Sequence, residues 1–389
     1  LCYNLYMRVK HDADVLDIVL MHQPGKEIEQ LTPSNLARLL FDDMPFLDKA
    51  IFEHQQMVDY LNKQNITTIE ITDLIHDIID DKDVKDMFIR LIIHDLKSKE
   101  ISVVERVKEM LHSLNNKEFI KTLIEGITYA NMALENKDAL FILDPLPNLL
   151  FQRDPMFMID DICVISHMNM NARKRESLIS KVIVMHHPLF KHQKFIDMND
   201  QPYSIEGGDV IMLGNIVFIG LSERTEKEAV IALHKKLKAI NHACEIIMIE
   251  LPIKRSYMHL DTVFTPISKT QFVYDKHALN QSHFFKIKEN QFQAITQTFK
   301  QLLNDLFGKV SLIEVGDGDE IYAKREQWND AANTLAIAPH HIICYDRNII
   351  TNQLFKEAGV TFYPMPSSEL SRGRGGPHCM IMPLNRKSL

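Results

Sequence analysis

The chain has 389 residues, of which 46% are hydrophobic and 25% are charged, and its formal net charge is -8 at pH 7. This composition is typical of a globular protein with room for a large core. Lys and Arg form no block of the kind that binds nucleic acid, and the longest apolar runs, such as residues 244–251, are too short to span a membrane. We therefore expect no nucleic-acid partner and no membrane partner.

The cysteines predict a reducing compartment. Their odd number and wide spacing fit neither a disulfide framework nor a metal site with paired cysteines, which indicates a cytoplasmic location. Leu1-Cys2-Tyr3 opens the chain without the charged segment and apolar core of a secretory signal. The five cysteines are Cys2, Cys163, Cys244, Cys344 and Cys379.

The first predicted element is a strand. Residues 14–21 are mostly apolar and end in His22-Gln23-Pro24-Gly25, which is a turn signal. Thr32-Pro33-Ser34-Asn35 then has the residue types of a helix start. Apolar positions at helical spacing predict a further helix over residues 49–62.

A change of texture marks residues 73–135. Pro is absent there, Gly126 is the only glycine, and apolar residues recur every three or four positions. Facing amphipathic helices have this pattern. We expect an inserted helical bundle at 73–135 inside a catalytic domain formed by residues 1–72 and 136–389. Its role is structural, or it covers the site or serves in assembly.

Four similar units follow Asp144-Pro145, each a polar cluster and then two short apolar strands typical of a β-hairpin. Three hairpins lead into predicted helices at 171–180, 224–240 and 347–358, and a further strand follows each helix. Thr225 and Glu228 have the spacing of a capping box at the start of the second helix. The polar clusters are Asp154-Pro155, Glu206-Gly207-Gly208-Asp209, His259-Leu260-Asp261 and Glu326-Gln327-Trp328-Asn329-Asp330.

The period of these units predicts a radial or stacked array. Their aspartates are separated by 55 (154 to 209), 52 (209 to 261) and 69 (261 to 330) residues. A fifth unit would pair a strand at residues 379–382 with residues 17–21, which would close a ring and leave no free sheet edge. Repeated units place equivalent loops at one end, so we expect the polar clusters to converge.

The converging residues would form an acid-rich site with one histidine and one cysteine. No closed metal-ligand set has a known spacing, so an organic cation is favoured, and carboxylates bind a planar guanidinium bidentately. Cysteine beside histidine is a nucleophile and base pair, and two arginines near Cys379 would favour its thiolate. Each residue alone has an equally good structural explanation. The set is Asp154, Glu206, Asp209, His259, Asp261, Glu326, Asp330 and Cys379.

Five ordered motifs resemble those of the arginine deiminase family, and the resemblance covers nearly the whole chain. It implies a five-unit, pseudo-symmetric α/β propeller of ββαβ units with a helical insertion, in agreement with the repeats. The motifs are Pro147-Asn148-Leu149-Leu150-Phe151-Gln152-Arg153-Asp154-Pro155, Glu206-Gly207-Gly208-Asp209, His259-Leu260-Asp261-Thr262-Val263-Phe264, Arg325-Glu326-Gln327-Trp328-Asn329-Asp330 and Ser371-Arg372-Gly373-Arg374-Gly375-Gly376-Pro377-His378-Cys379-Met380.

The resemblance also implies roles. Cys379 would be the nucleophile and His259 the general acid and base in converting L-arginine to citrulline and ammonia, without metal or cofactor. Asp154 and Asp261 would hold the guanidinium, and Glu206 would orient the substrate and the histidine. The positions matching those that the family uses for the rest of the substrate are Asn148, Phe151, Arg173, Arg224 and Arg374.

Other functions stay open at this point. The rivals are an agmatine deiminase, a dimethylarginine hydrolase, an amidinotransferase, or a non-catalytic relative that binds arginine. Arginines that grip an α-carboxylate favour a free amino acid over agmatine. The intact set of chemical residues favours an enzyme over a binding protein. We expect a homo-oligomer, although the sequence gives neither its size nor the pH optimum.

Overall fold

The computed structural model describes residues 7–134, 139–288 and 291–388, and the predictions that concern Cys2 and the chain start lie outside them. The strands are β1 (Val15–Met21), β2 (Thr67–Glu70), β3 (Ile127–Thr128), β4 (Phe141–Leu143), β5 (Met156–Ile159), β6 (Ile162–Ile165), β7 (Lys194–Asp197), β8 (Val210–Leu213), β9 (Ile216–Leu221), β10 (Glu245–Glu250), β11 (Phe264–Pro266), β12 (Gln271–Tyr274), β13 (His283–Lys288), β14 (Gln291–Ile295), β15 (Ser311–Glu314), β16 (Leu335–Ala338), β17 (His341–Tyr345), β18 (Thr361–Met365) and β19 (Met382–Lys387).

The helices alternate with these strands, which makes the fold mixed α/β. None of the helices in the described ranges has the length and apolar character that a membrane crossing requires. The helices are α1 (Lys26–Glu29), α2 (Leu47–Lys63), α3 (Ile71–Ile78), α4 (Lys82–Asp95), α5 (Ile101–Ser113), α6 (Asn116–Glu125), α7 (Lys174–His186), α8 (Lys227–Ala239), α9 (Lys276–Asn280), α10 (Phe299–Phe307), α11 (Glu320–Trp328), α12 (Ile349–Glu357) and α13 (Pro377–Met380).

The four predicted hairpins are all present, and each belongs to a sheet of the same topology. An antiparallel hairpin is joined on one side by a strand that runs parallel to its second strand and follows a helix in the sequence. Two further strands extend one of these sheets. The strand orders are β5-β6-β7, β14-β13-β10-β9-β8, β11-β12-β15 and β16-β17-β18, beside a small β3-β4 sheet.

A further sheet joins two distant parts of the chain. β19 pairs antiparallel with β1, and β2 pairs parallel with β1 on its other side, so this sheet repeats the topology of the others. The predicted pairing of the two segments is confirmed, but the predicted start of the second strand at residue 379 is wrong. Pro377 begins the short helix α13 there, because its fixed φ suits the first position of a helix, and the strand begins at Met382.

Helices α3 to α6 fall in the segment predicted to be helical, and begin two residues earlier than expected. Their buried faces share one hydrophobic core with the β5-β6-β7 sheet and α7. After α6 the chain returns through β3 and β4. The predicted boundary at 135/136 lies outside the described residues, and the division into two domains stays a prediction.

Two predicted helix starts are wrong. Residues 33–40 form turns, because the Asn35 side chain bonds the backbone of Gln30 and Thr32 instead of capping a helix. Thr225 forms no capping box with Glu228, since α8 begins after Glu226. The Thr225 hydroxyl instead accepts a hydrogen bond from the backbone N–H of Glu206, at 3.1 Å.

Candidate active site

Short turns at the starts of the strands bring the predicted catalytic side chains together. Single 3-10 turns at residues 207–209 and 260–262 precede β8 and β11, and α13 precedes β19. Gly208 permits the closest approach, because a Cβ at that position would lie 2.7 Å from both Asp154 Oδ1 and His259 Nδ1. Glycine at position 208 therefore allows its loop to pack against the loops that carry Asp154 and His259.

One small buried cavity is lined by most of the predicted site residues. Its volume is about 20 Å³, room for one or two water molecules. The predicted catalytic residues Asp154, His259 and Cys379 and all five predicted substrate-binding residues line it. The lining residues are Leu40, Asn148, Phe151, Asp154, Arg173, Arg224, Arg255, Met258, His259, Gly373, Arg374 and Cys379.

The histidine lies between two carboxylates. His259 Nε2 is 2.9 Å from Glu206 Oε2, and His259 Nδ1 is 3.6 Å from Asp154 Oδ1. Burial alone lowers the pKa of His259, but Asp154 and the hydrogen bond to Glu206 outweigh it and raise the pKa to about 9. His259 is therefore protonated near neutral pH and has a proton to donate.

Glu206 is the permanent anion of this group. Burial raises its pKa, but the guanidinium of Arg224 and the hydrogen bond from His259 lower it to about 2. The Arg224 Nη1 atom lies 3.6 Å from Glu206 Oε2. Glu206 therefore stays negatively charged at neutral and at mildly acidic pH.

Cys379 is a buried thiol in the free protein. Its Sγ lies 3.4 Å from Asp261 Oδ2, to which the thiol donates. Burial, together with the carboxylates of Asp261, Asp154 and Asp330, raises the pKa of Cys379 well above its ordinary value. The expectation that two nearby arginines make Cys379 a thiolate is wrong for this state. Arg372 pairs with Asp43 at the surface, and the favourable interaction with Arg374 does not outweigh burial and the carboxylates.

Asp261 has a similarly perturbed carboxyl group. Burial raises its pKa to about 7, although His259 partly offsets that rise. His378 Nδ1 lies 2.8 Å from Asp261 Oδ2, and its other ring nitrogen lies 2.8 Å from Arg153 Nη2. Because a guanidinium can only donate, the second nitrogen accepts and Nδ1 carries the proton given to Asp261.

The predicted substrate-binding arginines are already paired. Arg173 bonds Asp154, the carbonyl of Phe151 at 3.1 Å and that of Asn148 at 3.2 Å. The guanidinium of Arg374 lies 3.6 Å over the Trp328 ring. The Asn148 side chain donates to the carbonyl of Leu39 at 2.7 Å. These contacts fill the space that a larger ligand would need.

Three acids of the predicted cluster, Asp209, Asp330 and Glu326, do not line the cavity. Asp209 accepts from the backbone N–H of Leu260 at 2.9 Å and so holds the histidine loop. Asp330 is buried close to Arg374, which partly offsets the effect of burial on its pKa, about 6. Glu326 does not converge with the others, because its carboxylate accepts from the backbone N–H groups of Ile350 and Thr351 at the start of α12.

Sequence reasoning missed several residues that contact Cys379 and Asp261 or line the cavity. Asn333 donates to Cys379 Sγ at 3.1 Å, and His378 bonds Asp261. Arg255 and Met258 line the cavity. His378 stood inside a motif, but Asn333 carries no charge and follows the Trp-Asn-Asp motif at no distinctive spacing, so no pattern singled it out.

The donor set fits an organic cation better than a metal. Asp154, Glu206 and His259 have ligand atoms within 4.8 Å of one another. Arg173 already neutralises Asp154, and Arg224 faces Glu206. A metal dication would have to displace these guanidinium groups or lie beside them. A substrate guanidinium could take the place of one of them, because it forms the same paired hydrogen bonds with a carboxylate.

Comparisons with known proteins agree with this chemistry. Residues 37–386 match the family model described as arginine deiminase. The arginine deiminase of Borrelia duttonii is 38% identical over 400 residues, covering 95% of this chain and 96% of the relative. That of Oenococcus oeni is 36% identical over 405 residues, covering 98% of both.

Solved structures with low sequence identity share the fold. SxtG, an amidinotransferase from Microseira wollei, has a TM-score of 0.60 at 10% identity and covers 99% of this chain and 98% of its own. A dimethylarginine dimethylaminohydrolase adduct with S-methyl-L-thiocitrulline has a TM-score of 0.56 at 14% identity, covering 95% and 99%. From the family model and its curated relatives, this chain belongs to the arginine deiminase family.

Proposed function

We propose that the protein is an arginine deiminase, which hydrolyses L-arginine to L-citrulline and ammonia through a covalent amidino-cysteine intermediate. The observation that carries the proposal is the single cavity in which Cys379, His259 and Asp154 meet arginines suited to an α-carboxylate. Family membership supports the same reaction. Arginine degradation would thus be its metabolic role.

Substrate charge would activate the nucleophile. The free site keeps Cys379 as a thiol because carboxylates surround it. A guanidinium held by Asp154 and Asp261 would neutralise that charge and favour the thiolate. The thiol proton would leave by way of Asp261, 3.4 Å from Sγ, whose pKa is raised to about 7 in the free site and whose carboxyl group would release the proton to solvent as the guanidinium binds.

The reaction then proceeds in two steps. Cys379 Sγ attacks the guanidinium carbon, and protonated His259 gives its proton to the departing nitrogen, so that a C–S bond forms, a C–N bond breaks and ammonia leaves. Neutral His259 next takes a proton from water, whose oxygen attacks the same carbon. The C–S bond breaks, the departing sulfur takes up the remaining hydroxyl proton to restore the thiol, and citrulline is released. Glu206 keeps the histidine oriented throughout.

Substrate binding needs a rearrangement. A cavity of about 20 Å³ does not hold an arginine molecule. Arg173 would leave its ion pair with Asp154 and bind the α-carboxylate of the substrate instead. Arg224 and Arg374 would also contact the substrate. Asn148 and Phe151 would form the wall beside the substrate chain. The loop at residues 371–376, with its three glycines, is the segment that we expect to open.

We also propose the finer architecture and setting. The five similar sheets would surround a pseudo-five-fold axis as a propeller, supported by the β19-β1 pairing, with residues 73–135 as an inserted bundle between 1–72 and 136–389. We expect a homo-oligomer in the cytoplasm with no nucleic-acid or membrane partner. Gel filtration with light scattering measures the oligomer.

A substrate panel tests the function. Purified protein is given L-arginine, agmatine and methylated arginines, and citrulline-type products and ammonia are measured. We expect turnover of L-arginine and little of agmatine, which lacks the carboxylate. Preferential turnover of agmatine or methylarginines would instead assign another guanidine-modifying activity.

A cysteine pair tests the mechanism. Cys379→Ala should abolish turnover, and acid quenching of the wild type should leave an amidino-derived mass on the Cys379 peptide. Cys344→Ala is the matched control, because Cys344 is buried away from the cavity on β17. Full activity of Cys379→Ala would overturn the mechanism. A wild type with neither turnover nor adduct would favour a binding protein.

A further inference from the structure

A single amide side chain contacts the nucleophile on two sides. Asn333 is fully buried, two residues before β16. Its Oδ1 accepts from the backbone N–H of Cys379 at 3.0 Å. Its Nδ2 donates to Cys379 Sγ at 3.1 Å and to the backbone carbonyl of Asp261 at 3.0 Å. All hydrogen-bonding groups of this amide are therefore used at the reacting cysteine and the carboxylate beside it.

Chemistry fixes which end of the amide faces the sulfur. The Cys379 N–H can only donate and the Asp261 carbonyl can only accept. In a flipped Asn333, the NH2 group would face the N–H of Cys379, which is also a donor. The amide oxygen would face the carbonyl of Asp261, which is also an acceptor. The orientation with Nδ2 toward the sulfur is therefore the one that both backbone partners demand.

The charged groups around Cys379 mostly destabilise its thiolate, so a neutral donor in contact with the sulfur has a large relative effect. Asp261, Asp154 and Asp330 all act against a negative charge on Cys379, while Arg374 interacts favourably with it at longer range. Asn333 is a neutral donor in direct contact with the sulfur. A hydrogen bond to an anion is stronger than one to a neutral thiol, so the contact stabilises the thiolate more than the thiol.

We propose that Asn333 is a catalytic residue, whose amide N–H donates to the Cys379 thiolate when it forms before attack and when it leaves from the amidino intermediate. This inference rests on the proposed function. No bond to Asn333 is made or broken. The same amide fixes the backbone of Cys379 and of Asp261, so it also keeps the sulfur and the carboxylate in register.

Local structure holds Asn333 in place. Its backbone N–H donates to the backbone carbonyl of Asp330. The backbone of Asp330 is left-handed, with a φ of 58°. The carbonyl of Ala332 accepts from Thr265 at 2.6 Å. A Cβ on Gly376 would lie 2.7 Å from Asn333 Oδ1, so glycine there lets the loop before the nucleophile pack onto the amide.

The test measures the reactivity of Cys379 without turnover. Wild type, Asn333→Ala and Asn333→Asp are alkylated with iodoacetamide from pH 6 to 10, and the rate at the Cys379 peptide is followed by mass spectrometry. Asn352→Ala is the matched control, since Asn352 is also a mostly buried amide beside a cysteine, Cys344, at 3.3 Å. Circular dichroism confirms that each variant is folded.

The range from pH 6 to 10 lies below the raised pKa of Cys379, so the alkylation rate there measures the thiolate fraction. We expect Asn333→Ala to raise the pKa of Cys379 by about one to two units, the effect of one hydrogen bond to a charged group. At each pH the alkylation rate then falls by roughly three- to fifteenfold, because part of the lost thiolate is offset by greater nucleophilicity. Asn333→Asp keeps the size and shape of the side chain but places a negative charge beside the thiolate, so its alkylation is slower still. Asn352→Ala leaves the profile at Cys379 unchanged.

The outcomes separate the claims. A folded Asn333→Ala with the wild-type profile, or an equal shift in Asn352→Ala, overturns the role of Asn333. If Asn333→Ala does not fold, the isosteric Asn333→Asp decides in the same way. The citrulline assay fails independently if the proposed function is wrong, because alkylation needs no arginine turnover.

Discussion

Replacing Glu206 with Gln would change the charge beside His259, the proposed catalytic histidine, with little change of shape. Glu206 Oε2 lies 2.9 Å from His259 Nε2 and is fully buried, so water does not screen the interaction. A glutamine retains an acceptor for the same ring nitrogen. The variant therefore isolates the contribution of the negative charge to the pKa of His259.

The size of the effect follows from the geometry. A hydrogen bond to a charged partner contributes about 1.5–3 kcal/mol and a neutral one about 0.5–1.5 kcal/mol, so the loss is about 1–1.5 kcal/mol, or about one pKa unit. The pKa of His259 should fall from about 9 to about 8. Since His259 must be protonated to release ammonia, the basic limb of kcat/KM moves down by the same amount.

The assay is citrulline formation at low L-arginine from pH 6 to 10. Glu326→Gln is the matched control, because Glu326 is also a buried carboxylate but caps α12. It should lower the melting temperature and leave the basic limb in place. A basic limb that does not move in Glu206→Gln, with both variants folded, would refute the assignment of His259 as the acid.

Two more changes test buried histidines. His378→Leu removes the donor to Asp261 at 2.8 Å, so the pKa of Asp261 should rise above about 7 and the acidic limb of kcat/KM should move up by about one unit; an unmoved limb would contradict this. Glu70 and Glu27 outweigh burial and raise the pKa of His22 to about 10, so its stabilising charge is fully present below about pH 6.5 and lost as the pH rises through about 10. The difference in melting temperature between wild type and His22→Gln should shrink over that range, and a constant difference would argue against the ion pairs.

The hairpins were predictable from the sequence because two short apolar runs joined by a short turn can bury their side chains in few arrangements other than a β-hairpin. The pairing of β1 with β19 followed from counting strands that lacked a partner. Both errors in helix starts concern polar side chains that bond elsewhere, Asn35 to its own turn and Thr225 to the Glu206 backbone. Local sequence cannot reveal a partner that only the folded chain supplies.

The candidate site was predictable to a similar degree. The charged residues of the repeated motifs predicted most of the residues that line the cavity. The motif at residues 325–330 did not reveal that the Glu326 carboxylate binds the backbone at the start of α12. The state of Cys379 was misjudged because neighbours in sequence were counted, whereas burial and three carboxylates from other loops determine its pKa. Asn333 escaped notice because a neutral amide acquires its role from contacts alone.

The pairing of β19 with β1 has a consequence for biosynthesis. Asn385 bonds Asp17 across 368 positions of sequence, and Cys379 lies immediately before the strand that makes this contact. During translation the earlier units can fold as they emerge, but Cys379, the proposed nucleophile, and the strand that follows it are synthesised after all of them. A growing chain would therefore hold a nearly complete arginine site without the group that reacts. Activity would begin with the same event that joins the two distant segments, so an incompletely translated product would leave cellular arginine untouched.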